Sequence, residues 1–415
     1  MELPDRCAEP SRSLGLDEAL ARILGSLAPV AGIERVSLEQ APGRVLAEDV
    51  FAPFDLPPFP NSAMDGYALR HRDIEAYAEA GLEVVGTSFA GRPYTGSVET
   101  GQCVRIFTGA AMPDGADTVV MQENVLRDGG RIRLTRPPGL RANVRPAGDE
   151  IRGGERLLEQ GRRLQAADLG VLASAGFGAV PAMRRLRVAF FSTGDELRPV
   201  GETLGLGQIH DSNRHTLHGL LQSPAIEAID LGLVRDDPVE LRRVLLDASA
   251  RADAIITSGG VSVGDADFVT GALAELGRVG FWKVAVKPGK PFAFGRIGPS
   301  WLFGLPGNPV AVMVIFLQLV RPALLRLMGA ETRPALRLTA LCRSDLKKSP
   351  GRMEFQRGLF ASDGSGGLEV AGIAAQGSHQ LLGLCRANCF IVLPEDNAGV
   401  RAGDSVVIEP FVDGF

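Results

Sequence analysis

Apolar positions along this chain fall into four successive textures. Near the start, Leu20, Ile23, Leu24 and Leu27 recur at i, i+3, i+4 and i+7, the spacing of one face of an amphipathic helix. From Phe51 to Pro60 prolines interrupt any regular element, and short β-like runs follow at Val104–Thr108, Thr118–Gln122 and Arg131–Thr135. Helical patterning returns at Ala166–Ala175. From Leu186 the texture becomes strand–helix alternation. Strand-like runs at Val188–Ser192, Ala228–Val234, Ala254–Thr257 and Trp301–Leu305 alternate with helical ones at Asn213–Leu221 and Phe268–Leu276, and a long helix runs from Asn308-Pro309 to near Gly329. Asp237-Pro238-Val239-Glu240 reads as an N-cap, a proline at the first helical position and a capping-box glutamate. Beyond Arg333 the runs shorten again, at Leu336–Leu341, Phe355–Phe360, Phe390–Leu393 and Val406–Glu409, with a glycine-rich hairpin turn at 363–367.

This pattern predicts a multidomain α/β protein. Its centre is a mostly parallel sheet with helices on both faces, joined by a β-rich lobe and a C-terminal β-domain. The expected boundaries are 53–143 for the lobe, 14–52 with 144–184 for a discontinuous linker domain, 185–330 for the central domain and 331–415 for the last.

Ligands of open α/β sheets sit beyond the carboxyl ends of the strands, and three glycine-punctuated lips lie where apolar runs end. In Thr257–Asp267 (TSGGVSVGDAD), Thr257, Ser258, Gly259, Gly260, Ser262 and Gly264 combine close backbone approach with N–H and hydroxyl donors, which suits a phosphate. Asp265 and Asp267 follow at once. Only one of them can cap the helix beginning near Phe268, which leaves the other for Mg²⁺. In Lys283–Gly295, Lys287-Pro288-Gly289-Lys290-Pro291 is a stiff turn carrying two ammonium groups, with Lys283 near in sequence, and reads as a seat for a small oxyanion. In Phe303–Pro309, Pro306, Asn308 and Pro309 stand at a strand-to-helix junction whose N–H groups face a ligand. Asp195 and Glu196 end another strand, and Asp236 stands at a helix entrance.

Composition narrows the partners. With 415 residues, 45% of them hydrophobic, the chain can bury several cores. A formal net charge of −5 and the absence of basic–aromatic interleaving argue against nucleic acid as a ligand. Five scattered cysteines without a CxxC pair fit reduced thiols. The N-terminal residues lack the pattern of a signal peptide, and Val310–Leu319 is too short to span a bilayer, so no membrane and a cytoplasmic location are expected. His215 and His218 lie three apart on a helix, but no further ligand stands at zinc spacing.

Taken in order, these lips resemble those of the molybdopterin molybdenumtransferase family, which includes the E domain of gephyrin. The resemblance extends over nearly the whole chain beyond Leu14. It includes Pro58–Ala68 (PFPNSAMDGYA), Arg105–Ala110, Val119–Glu123, Arg352–Gly358 and Gln376–His379. It implies that molybdenum, delivered as molybdate, is inserted into the dithiolene of adenylylated molybdopterin, with Mg²⁺-dependent release of AMP by a homodimer. Contact with molybdopterin adenylyltransferase and molybdoenzyme apo-forms is a further candidate. The resemblance also implies site roles. Asp267, Glu196, Asp236 and Lys283 line the central domain as catalytic groups, and Pro306 and Pro309 shape its edge. Lys287 lines the central domain as well, and Arg352, Arg357 and Ser378 face it from the C-terminal domain, while Asp65 and Thr108 come from the second subunit. With Lys290 of the stiff turn, Lys287, Arg352, Arg357 and Ser378 are the expected molybdate-binding groups. One departure stands out. Where family members often read Gly-Glu-Asp-Ile, this chain reads Gly148-Asp149-Glu150-Ile151, so Glu150 occupies the position of the functional aspartate and Asp149 is its rival. Two other readings are a molybdopterin adenylyltransferase, resembled by residues 186–328 alone, and a non-enzymatic gephyrin-like scaffold.

Overall fold

The computed structural model describes residues 13–261 and 268–411. They divide into two compact units, a first of residues 13–47, 161–165, 180–261 and 268–411, and a second of Glu48–Gln160 with Ala166–Ala179.

The second unit is built on a six-stranded sheet. Its strand order is Thr118–Met121, Gly66–Leu69, Gln102–Ile106, Leu82–Ser88, Arg131–Leu134 and Val125–Asp128. All neighbours pair antiparallel except Leu82–Ser88 with Gln102–Ile106. Tyr67 and Leu69 fill one face with Leu82, Cys103, Val120 and Ile132, and Ala68 and Ile106 fill the other with Ala110 and Val119. This is the alternation of side chains that a pleated strand imposes.

In the first unit the central sheet runs Ile226–Val234, Leu186–Thr193, Ala254–Ser258, Ser300–Leu305, Pro291–Ile297 and Gly277–Lys283. The first four are parallel and the last two join antiparallel. Helices cover both faces. Leu16–Ser26, Asn213–Leu220 and Pro309–Leu327 contribute to a core around Phe190, Ile256 and Phe303, while Pro238–Arg251 and Phe268–Leu276 pack over Phe191, Ile255 and Leu302. The capping prediction at Asp237 holds, with its Oδ1 accepting from Glu240 N at 2.8 Å. The reading of Lys283–Gly295 as a continuous lip is corrected. Only 284–290 is outside the central sheet, because Pro291–Ile297 is a strand whose Phe292 and Phe294 are buried in the core. Alternation across a short antiparallel strand covered on both sides leaves no polar face, so it looked like a loop flank.

The same unit carries the C-terminal barrel-like sheet. Met353–Ser362, Leu368–Gly372, Leu338–Cys342, Ser405–Pro410 and Cys389–Leu393 follow in order, and the last pairs back with the first. Backbone seams and a shared apolar core join it to the central domain. Val286–Lys287 pairs in parallel with Met353–Glu354, and Val310 N donates to Ser378 O at 3.1 Å. The Val310–Leu319 run continues through Arg321-Pro322 by way of a π-helical turn to Leu327. Pro309–Leu327 is therefore long and apolar enough to cross a membrane by length and composition, contrary to the sequence expectation. Its apolar residues, among them Val312, Val314, Phe316 and Leu324, are buried in the core.

Candidate active site

The carboxyl ends of the parallel strands open into a cleft of about 670 Å³. Strand Leu186–Thr193 delivers Thr193 and then Glu196, Ile226–Val234 leads to Asp236, Ala254–Ser258 ends at Ser258-Gly259-Gly260, and Ser300–Leu305 leads to Pro306. Thr193 Oγ1 donates to Asp236 Oδ1, which fixes that carboxylate at the cleft wall. Gly259 adopts φ +93°, and a Cβ there would lie 2.2 Å from Thr193 O, so the close approach of two strand ends itself demands glycine. The loop is held from behind by Asn213, whose Nδ2 donates to Ser258 Oγ at 2.8 Å and to Gly307 O at 2.7 Å. One buried amide thus ties the first lip to the third.

A second pocket of about 380 Å³ adjoins the first, and Pro291, Pro306 and Asn308 line both. Its character is opposite. Lys287, Lys290 and Arg352 bring three cations, Ser378 a hydroxyl, and Glu354 one carboxylate. Gly289, at φ +128°, brings this turn against the long helix, where a Cβ would meet Ile315 Cγ1 at 2.6 Å. The helix N-terminus is less open than the sequence implied. Pro309 has no N–H, and the N–H of Val310 is taken by Ser378 O.

The lobe unit holds two further groups of site residues. Asp65 Oδ1 accepts from both the N–H and the Oγ1 of Thr108, each at 2.8 Å. These two bonds, the backbone one first, hold the Asp65 carboxyl below the usual carboxylate range. Nearby, the Arg105 guanidinium lies between the rings of Tyr67 and Phe107 and donates to Gly66 O. Separately, Asp149 and Glu150 both line an open hollow of about 470 Å³ with Arg145. Both residues of the acidic pair therefore border the same hollow.

Three family models match the chain: the MoeA N-terminal region (domain I and II) over residues 14–176, a probable molybdopterin binding domain over 189–326, and the MoeA C-terminal region (domain IV) over 339–411. A molybdopterin molybdenumtransferase of Haemophilus influenzae is 44% identical over 96% of this chain and 98% of its own length. The chain belongs to the molybdopterin molybdenumtransferase family. A Nostoc relative of the same name is 38% identical over 90% of this chain and 88% of its own. A crystal structure of a molybdopterin biosynthesis MoeA protein from Pyrococcus horikoshii superposes with a TM-score of 0.84 at 31% identity, covering 96% of this chain and all of that one (100%). A single-domain adenylyltransferase accounts for the central match alone and leaves the N- and C-terminal MoeA regions unexplained.

Family membership lets each expected site residue be located. Glu196, Asp236, Ser258, Gly259, Gly260, Pro306, Asn308 and Pro309 line the cleft, and Lys287, Lys290, Arg352 and Ser378 line the cationic pocket. Ser262, Gly264, Asp265 and Asp267 lie outside the described residues. Thr257 is buried within its strand, and Lys283 is half-buried at a strand end and lines neither pocket. Arg357 is placed differently from its sequence reading. It is 1% exposed, and its guanidinium lies beneath the loop, donating to Ala375 O and Gly377 O. It braces the loop that carries Ser378 instead of facing the pocket.

The sequence missed Asn213, Asp211 and Glu354. Asp211 is 1% exposed, accepts from Ser192 Oγ at 3.0 Å and pairs with Arg214. Asp211-Ser212-Asn213 showed only a helix start, and nothing local in sequence announces that a polar residue bridges two distant loops. Among the described residues no group of three or more His, Cys, Asp or Glu is assembled to hold a metal.

Proposed function

We propose that the two adjoining pockets divide the family reaction between them. The chain is a transferase that inserts molybdenum into molybdopterin. In this reading the cleft holds adenylylated molybdopterin, with its pyrophosphate against Ser258-Gly259-Gly260, and the cationic pocket holds molybdate, a substrate. The observation that carries it is the shared wall. Pro291, Pro306 and Asn308 bound both pockets, so a ligand in each would be neighbours without sharing counter-charges. Holding two reactants side by side lowers the entropic barrier to their reaction.

Each wall has a task. The loop's backbone from Gly260 onward faces the phosphate oxygens, since the Gly259 N–H is taken by Leu305 O and the Ser258 hydroxyl by Pro306 O and Asn213. Glu196 and Asp236 orient the ligand from the neighbouring strand ends, Asp236 being held by Thr193. Lys290, Lys287, Arg352 and Ser378 bind the oxyanion, and Arg357 keeps the Ser378 loop in place.

The cleft's side-chain donors are mostly oxygens (Glu196, Asp236 and Ser258), with His210 and His379 at its margin, and this set suits a hard cation shared with a phosphate. Asp267 and Asp265, which follow the glycine loop in sequence, are the residues that would hold Mg²⁺. When bound, that ion would neutralise charge at the pyrophosphate as AMP leaves. Homodimerisation, with Asp65 and Thr108 supplied by a second subunit, belongs to the same reading.

The deciding experiment combines purified protein, adenylylated molybdopterin, Mg²⁺ and molybdate, and follows AMP and pterin-bound molybdenum together. Both should appear, and Asp267→Asn should remove both while leaving circular dichroism unchanged. Consumption of ATP without any need for molybdate would replace this reading with adenylyl transfer.

A further inference from the structure

The cationic pocket contains a carboxylate, which an anion site has no evident reason to keep. Glu354 lines the pocket, and its side chain is only 8% exposed. Both its oxygens lie 3.2 Å from Lys287 Nζ, and Gln356 Nε2 donates to Oε1 at 3.0 Å. Gln356 is itself fixed by donating to Lys347 O at 2.8 Å. The pairing is built in, because Lys287 and Glu354 are register partners on adjacent strands. Lys287 is half-exposed, so its ammonium can reach a ligand as well as the carboxylate.

We infer that Glu354 is a positioning residue that competes with the bound oxyanion for Lys287 and so holds molybdate affinity below what three cations would give. The inference rests on the reading of this pocket as the oxyanion site. A tetrahedral dianion brings only acceptors. Glu354 already has donors from Lys287 and Gln356, so it gains nothing from such a ligand and repels its charge. With the carboxylate counted, Lys287, Lys290 and Arg352 leave the pocket about two positive charges, the match of a dianion. Restraint has a catalytic use. Binding that stabilises the free substrate as much as the transition state does not speed transfer, and an oxyanion held too tightly would stay in its pocket.

The test uses the full-length protein and sodium molybdate alone, titrated calorimetrically. Glu354→Gln should tighten molybdate binding about tenfold, equivalent to roughly 1.4 kcal/mol, and should slow molybdenum transfer at saturating molybdate. Glu354→Asp keeps the charge and should not tighten binding. If Glu354 only buttressed the strand pairing, Glu354→Gln would instead weaken binding. Weaker or unchanged affinity in a folded Glu354→Gln protein overturns the inference. Should that variant fail to fold, Lys287→Gln and Lys290→Gln decide. Loss of Lys287 leaves Glu354 unpaired beside the anion and should cost more affinity than loss of Lys290, and an equal or smaller loss overturns the inference. If Lys290→Gln and Arg352→Gln both leave molybdate affinity untouched, the pocket assignment itself is wrong, and that result is distinct from failure of the Glu354 role alone.

Discussion

The cleft and the cationic pocket share a wall, yet they are built in contrasting ways. Four parallel strands deliver the cleft residues directly, each strand end being fixed by the sheet, so Ser258, Thr193 and Pro306 inherit the rigidity of the core. The pocket hangs on a turn between two antiparallel strands and is completed by Arg352, Glu354 and Ser378 from the barrel. Its geometry depends on the seam between two domains of one unit. Positioning a large nucleotide-bearing ligand needs a fixed frame, while receiving and giving up a small anion needs adjustable charge. The contrast predicts that mutations in one pocket leave binding in the other intact.

The largest effect tests the fixed frame. Asp236→Asn keeps the shape of the side chain but removes the charge held by Thr193. We expect molybdenum transfer to fall by about a hundredfold or more, in line with losses on removing one preorganised electrostatic group, with molybdate affinity unchanged. Steady-state kinetics paired with molybdate titration read both quantities. A parallel fall in molybdate affinity would show that the two pockets are one site.

Next comes a carboxylate in the same sheet that serves neither pocket. Asp253 lies just before strand Ala254–Ser258, at the opposite end from Ser258. It accepts from Arg184 Nη1 and Nη2 at 2.7 and 2.8 Å and from Arg187 N at 2.9 Å. Burial alone would raise its pKa, but the Arg184 bonds and the Arg187 N–H outweigh that and hold it below the ordinary value. A depressed folded pKa means the stabilisation is present above the unfolded value and is lost as pH falls through the folded one. Asp253→Asn should therefore lower unfolding free energy by about 2 kcal/mol at neutral pH, and by progressively less in acid below the ordinary carboxylate range. Chemical denaturation at several pH values measures this, and a pH-independent difference would remove the ionic account.

How much of this was legible follows from how each feature is encoded. The central alternation and the Asp237 cap were readable because periodicity and capping are local. Ser258–Gly260 and Pro306–Pro309 were readable as strand ends because glycine and proline there are informative in themselves. Pro291–Ile297 was misread, since a strand buried on both faces carries no alternation. The burial of Arg357 was not legible, because sequence shows its charge but not that the guanidinium is held by the 375 and 377 carbonyls. Asn213 and Glu354 were missed for the same reason. Each acts through a partner 45 or more residues away.

A smaller effect tests the adjustable side. Lys290→Ala removes one cation that Glu354 does not hold, and molybdate affinity should fall about tenfold, the worth of one charge-assisted hydrogen bond. The pyrophosphate-bearing ligand, assigned to the glycine loop in the proposed reading, should bind as before. If that ligand weakened equally, the division along Pro291, Pro306 and Asn308 would fail.

The smallest effect concerns the lobe, where the Asp65 carboxylate is tuned chiefly by hydrogen bonds, with a lesser contribution from the Arg105 charge. Asp65 faces solvent, and it is held below the ordinary carboxylate range first by the Thr108 N–H and then by the Thr108 hydroxyl. If transfer requires ionised Asp65, activity should persist as pH falls past the point where a free aspartate would protonate. Thr108→Val deletes the hydroxyl donor and keeps the N–H, so the acid limb of the pH–rate profile should move upward, toward the ordinary range. At neutral pH the rate should change by only about twofold, because the carboxylate stays ionised in both proteins. An unshifted limb with a large loss at neutral pH would mean that the Thr108 hydroxyl contacts the substrate itself and does not act through Asp65.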